Sequence, residues 1–169
     1  MDATTVLSLV SALLADTSIF GAAKRAKLEA LLAEKPPIGG MIVQLLALTP
    51  KFDWVNPEIT DEHFPTVEPN LDGAQLEHYG KSMSSTAVLA DFKSRGRRAA
   101  TAAETLLYGI MNPEEQRKYW SVGLGQVWLY PGIGDYVVVL DEHDRERYAS
   151  LYAFARDWYA SYRFLSFPQ

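Results

Sequence analysis

Three histidines, His63, His78 and His143, are the side chains of this sequence best suited to acid–base or metal chemistry, and each follows a glutamate: Glu62, Glu77 and Glu142. Spacing decides what such pairs can do. A helical di-iron carboxylate site uses Glu-x-x-His, because a step of three residues puts both ligands on one helix face. Adjacent residues diverge by about 100° around a helix, so Glu-His does not match. Three histidines could still meet at one metal in space, which keeps a small His/carboxylate enzyme as an alternative. The plainer expectation is three surface histidines. Gly-x-Ser-x-Gly is absent, so no serine has a recognisable nucleophile context. Gly132-Ile133-Gly134 precedes an apolar strand rather than opening a helix, so it is no dinucleotide fingerprint. With 21 acidic residues, a carboxylate pair for glycoside chemistry cannot be chosen without geometry. There is no cysteine, which removes disulfides, zinc–thiolate sites, Fe–S clusters and thiol catalysis. The residues therefore name no catalytic, cofactor-binding or metal-ligating position.

The elements that would have to hold any site are those of one domain, residues 1–169, long enough to bury a substantial core. A hydrophobic content of 48% argues against disorder. A net charge of −5 disfavours nucleic acid or an anionic membrane as main partner. One basic cluster, Lys93, Arg95, Arg97 and Arg98, has no interleaved aromatics and reads as a solvated approach to a helix, with a phosphate site as the less favoured alternative. No apolar run reaches the roughly 18 residues of a membrane span. The start lacks a basic leader region, so the chain as written is expected in the cytoplasm, or in the periplasm if processed or carried out by a partner.

Periodicity predicts helices over 4–15, 22–34 and 40–48, a weaker one over 74–92, and a strong one over 97–111. Ala99, Ala103, Leu106, Leu107 and Ile110 form the buried stripe of the last. Asn112-Pro113-Glu114-Glu115 reads as the start of a further helix running through Gly123 and Gly125 to Trp128. A turn at Pro131–Gly134 leads into a strand over 136–140, which lacks a visible pairing partner. Asp141 is placed as N-cap of a helix over about 142–163, with Tyr148, Leu151, Tyr152, Ala155, Trp158, Tyr159 and Tyr162 on one face. The expected class is all-α or nearly so: a single helical domain with at most a short strand. Residues 50–73 are expected as an irregular arm, because Pro50, Pro57, Pro65 and Pro69 forbid a continuous helix.

Function is then sought in the aromatics. The arm's Phe52, Trp54 and Phe64 serve either as pins on the home core or as contacts to another subunit. With Trp128, Tyr130 and Trp158 they make the candidate partner-binding set, since surplus amphipathic rings mark protein interfaces. A self-associating helical scaffold is a third reading.

Tyr108-Gly109-Ile110-Met111, Gln126-Val127-Trp128-Leu129-Tyr130 and Asp135-Tyr136-Val137-Val138-Val139 follow one another in an order that resembles the small accessory subunits of bacterial FAD-dependent sugar dehydrogenases. There a helix ends in Tyr-x-Gly-Val-Val, a second ends in Ala-Leu-Met-Tyr, and a short apolar strand follows. The resemblance implies a helical, non-catalytic subunit that wraps and stabilises a catalytic flavin subunit. It implies no cofactor on this chain, with FAD in the partner.

Overall fold

A computed structural model describes residues 40–65 and 69–169. The helices expected over 4–15 and 22–34 lie outside these residues. Among the described residues, ten strands and four short helices follow in the order α1 (Met41–Ala47), β1 (Trp54–Val55), β2 (Gln75–His78), β3 (Met83–Ser84), α2 (Ser85–Ser94), β4 (Arg97–Ala99), α3 (Ala102–Met111), α4 (Pro113–Gln116), β5 (Ser121–Val122), β6 (Trp128–Tyr130), β7 (Gly134–His143), β8 (Glu146–Ala153), β9 (Asp157–Trp158) and β10 (Arg163–Pro168). The all-α expectation is overturned: eight strands form one mixed sheet, with β3 and β9 as a separate pair.

The sheet runs β1-β8-β7-β5-β10-β2, with β6 beside β7 and β4 beside β10. Its spine is the β7–β8 hairpin, which pairs from Tyr136↔Ala153 to His143↔Glu146. Both faces are covered. Val138 and Leu140 point into a core shared with α1 and α3, beside Leu106, Leu107, Ile110, Leu165 and Phe167. Val137 and Val139 point the other way, to Val88 and Phe92 of α2, Trp158 and Phe164. A strand buried on both sides needs no polar alternation, which is why 137–140 reads as a continuous apolar run. Close packing is written into α3. A Cβ on Gly109 would lie 2.7 Å from Leu140 Cδ1, so glycine lets the helix settle on β7.

The expected helix over 142–163 is instead the turn after β7 followed by β8, β9 and β10. Asp144 and Arg145 both have positive φ, 52° and 71°, and form a two-residue hairpin turn. Both central residues left-handed is the conformation that matches strand twist. It normally advertises itself with Asn or Gly, and here it does not. Asp141 is accordingly no N-cap but a buried residue within β7.

The expected helix over 74–92 divides into β2, β3 and the shorter α2, capped by Ser84, whose hydroxyl accepts from Ala87 N. The start of the 97–111 helix is strand β4, and α3 begins after Thr101 with a capping box to Glu104. The helix from Pro113 stops at Gln116. A Cβ at Gly123 would sit 1.9 Å from Thr105 Oγ1, so this glycine marks strand-to-helix contact rather than a weak helix. The helix at 40–48 and the strand at 136–140 lie where periodicity puts them, in α1 and within β7. No helix among the described residues is long and apolar enough to cross a membrane.

Candidate binding surfaces

The proposed partner-binding residues divide by burial. Phe52, Phe64 and Trp158 are in the cores. The described part of the arm lies over the domain, pinned by Phe52, Ile59 and Phe64. Trp158 is fully enclosed, with its indole N–H donating to Ser85 Oγ at 2.8 Å. Trp54 keeps 43% of its surface and packs on Tyr148 at a ring distance of 5.7 Å. Trp128 and Tyr130 are half-buried on β6, 4.8 Å apart between ring centres, and the His63 ring stacks on Trp128 at 4.1 Å.

The strands carry these rings to an apolar hairpin tip that sequence reasoning did not single out. Alternation along β6 turns Trp128 and Tyr130 to one face and Leu129 to the other. Leu129 is 68% exposed, Ile133 in the following turn 66%, and Val127 40%. The signal was present as apolar residues inside a Pro-Gly turn, a place where burial is not expected.

The second surface is an aromatic chain on the face of β8 turned away from α3. Ring centres run from Tyr148 to His143 at 5.5 Å, from His143 to Trp120 at 5.1 Å, and from Trp120 to Tyr162 at 5.3 Å. The contacts are edge-to-face, the arrangement ring quadrupoles favour, so these rings largely satisfy one another. The Arg156 guanidinium caps the far end, 4.8 Å over Tyr152 and 5.0 Å over Trp158.

Behind the chain lies Asp141, 1% exposed. Ser150 Oγ donates to its Oδ1 at 2.9 Å and Tyr152 OH to its Oδ2 at 3.0 Å, while His143 Nε2 stands 3.7 Å away. Burial pushes the carboxyl above the usual aspartate range against the pull of these hydroxyls and the imidazole. An imidazole backed by a carboxylate can relay a proton. However, the Ser150 hydroxyl is committed to Asp141, so the cluster presents no serine nucleophile.

A raised carboxyl has a definite stability signature. The native state holds this proton more tightly than the unfolded chain, whose aspartate titrates near about 3.9. The stability it contributes is therefore present below that value and lost as pH rises through the raised native one. Whatever its amide N–H₂ costs beside the two hydroxyls, Asp141→Asn is expected to be more stable relative to wild type at pH 7 than at about pH 4. Urea unfolding at both values checks this, and a variant weaker at pH 7 than at pH 4 relative to wild type contradicts it.

The three histidines do not converge. His63 lies beside Glu58 and Trp128, His78 Nε2 is 2.9 Å from the Ala160 carbonyl oxygen, and His143 belongs to the aromatic chain. Among the described residues no three His, Asp or Glu side chains gather as a metal site would need. Compared with known protein families, curated proteins and solved structures, the chain matches none.

Proposed function

We propose that this chain is a non-catalytic subunit that binds a protein partner through the tip of the β6–β7 hairpin. The observation that carries this reading is the grouping of Val127, Leu129 and Ile133. They are half of the six strongly exposed large apolar side chains among the described residues, and all sit within one hairpin. Exposed apolar groups this close together mark interaction sites more often than isolated ones do. Trp128 and Tyr130 flank the tip with amphipathic rings of the kind that anchor interfaces.

The finer reading makes the partner the catalytic subunit of an FAD-dependent sugar dehydrogenase, with the flavin held there. Its support is the order of Tyr108–Met111 at a helix end and residues 135–139 in a strand. Residues 126–130, where the resemblance calls for a helix end, lead into strand β6, so the finer reading rests on the other two segments.

The test is co-purification from the native host with wild type and with Leu129→Asp/Ile133→Asp. Both positions are exposed, so thermal stability should stay within a few degrees. Partner recovery should fall about tenfold or more, because the new carboxylates must be desolvated at the contact. Equal recovery of the partner by both proteins would remove the hairpin from the interface. A flavoprotein in the wild-type complex would support the finer reading, and a defined homo-oligomer of the chain alone would favour the scaffold.

A further inference from the structure

The geometry points to a second, independent site: a pocket beside β4 that binds a small organic anion with a flat apolar body and a phosphate or carboxylate head. The pocket has a volume of about 370 Å³. That is within the range of about 300–1,000 Å³ found for small-molecule sites. It opens between the second half of α2, strand β4 and the Leu124–Gly125 segment.

Its lining is divided by chemistry. The half-buried Leu89, with the small accessible parts of Ala99 and Leu124, forms its apolar side over the enclosed Phe92. Lys93, Arg97 and Arg98 supply three cations beside the polar Thr101 and Gln169, and among the described residues no Asp or Glu side chain lines the pocket. In a chain of net charge −5 this is a local reversal of sign. A concave site lined by one sign of charge concentrates field and favours the opposite ion.

The three cations are held differently, and the difference assigns their roles. Arg98 grips the buried Glu104 with two bonds of 2.6 and 2.8 Å, so much of its charge is spent within the protein. Arg97 donates Nε to Ser166 Oγ and Nη2 to the Gly73 and Ser166 carbonyls, each at 2.8 Å, with Glu77 Oε1 3.7 Å from Nε. Its Nη1 has no protein acceptor among the described residues. The Lys93 ammonium has neither a hydrogen bond nor an ion pair among them. Arg97 is thus a prepositioned donor and Lys93 the uncommitted charge that closes on the anionic head.

Along the chain these residues form only a short charged run, and the hollow between them arises on folding. Lys93 is on a helix and Arg97 and Arg98 are on a strand, and the turn at Arg95–Gly96 folds them round one hollow. Arg95, the fourth member, turns away to Asp91 and Glu77.

The experiment is calorimetric or NMR titration of the full chain with phenyl phosphate, benzoate and inorganic phosphate. Lys93→Glu is the test variant. Lys118→Glu is the control, since it makes the same charge change at an exposed position outside the pocket. Phenyl phosphate or benzoate should bind wild type about tenfold or more tightly than inorganic phosphate, because the apolar side removes a ring from water. Whichever of the two binds better identifies the head group. Lys93→Glu should weaken that binding about tenfold or more, while Lys118→Glu should change it less than about twofold. Absence of binding by all three probes, equal affinity for inorganic phosphate and the aryl anions, or equal losses in the two variants would each overturn the site.

Discussion

Arg147→Met is expected to lower the melting temperature by roughly 6–20 °C, the largest effect of any single change outside the apolar cores. Arg147 is 1% exposed, and among the described residues no carboxylate lies within ion-pair distance of its guanidinium. Burial, with repulsion from Arg117, holds its guanidinium below the ordinary arginine range against the pull of Asp53 and Glu114. What keeps the charge inside is a set of neutral acceptors. Nη2 donates to the Gly109 carbonyl at 2.6 Å, Nε to Gln116 Oε1 at 3.1 Å, and Nη1 to the Lys51 and Pro50 carbonyls at 3.2 and 3.3 Å. The Phe52 ring lies 4.9 Å beneath it. One side chain of β8 therefore ties together the end of α3, α4 and the segment leading into β1.

Gln116 extends the same tie by donating to the Asp141 and Tyr148 carbonyls. Methionine fills much of the volume but satisfies none of these oxygens, and each orphaned buried acceptor costs about 1–3 kcal/mol. The losses are not additive, so the expected total is about 3–5 kcal/mol. Arg147→Lys should recover only part of it, because an ammonium cannot reach acceptors arrayed around a planar fork. Thermal denaturation reads this directly. A shift under about 3 °C for Arg147→Met would show that the carbonyls find water and that the tie is dispensable.

Glu104→Ala should cost about 2–4 kcal/mol. The Glu104 carboxylate is wholly buried and accepts from Arg98 through both oxygens, from Thr101 N at 2.9 Å and from Thr101 Oγ1 at 3.1 Å. It is the cap of α3 and the anchor of β4 at once. The estimate sits below the usual range for a broken buried pair because the Arg98 side chain is 40% exposed and can rehydrate. Glu104→Gln should also destabilise, since its amide N–H₂ faces donors where the carboxylate offered an acceptor. A double-mutant cycle with Arg98→Ala, read by urea unfolding, should give a coupling of about 1 kcal/mol or more. Additive losses would mean that the guanidinium and carboxylate are neighbours without interaction.

Arg147 is a charged residue in charged company along the chain, and nothing in its spacing distinguishes it from solvated neighbours. Its role arises from partners 31 to 97 residues away. Glu104 stands as the lone charge among mostly apolar residues three after Thr101, a capping-box spacing that a helix expected from residue 97 passes over. The aromatic readings show the same boundary. Phe52, Phe64 and Trp158 were grouped with Trp54, Trp128 and Tyr130 by residue type, and only the packing separates those enclosed from those at the surface.

What the sequence determined by itself was local and apolar: the α1 helix, the heart of α3, the strand at 137–140 and the turn before it. In each, neighbours in the chain carry the whole signal, through apolar spacing, capping or a Pro-Gly turn. The tertiary structure decided the class of the fold. Residues 146–153 show Tyr148, Leu151 and Tyr152 at helical spacing, yet they pair along their whole length with β7. Tyr148 and Tyr152 face one side, Ala149 and Leu151 the other, and all four gain burial or ring contacts by doing so. The hairpin turn that enforces this pairing is Asp144-Arg145, which takes left-handed angles without the glycine or asparagine that would announce them. A helix satisfies its backbone within one segment, whereas a strand needs a partner, and it is that partner, not the residues of the segment, that chose strand here.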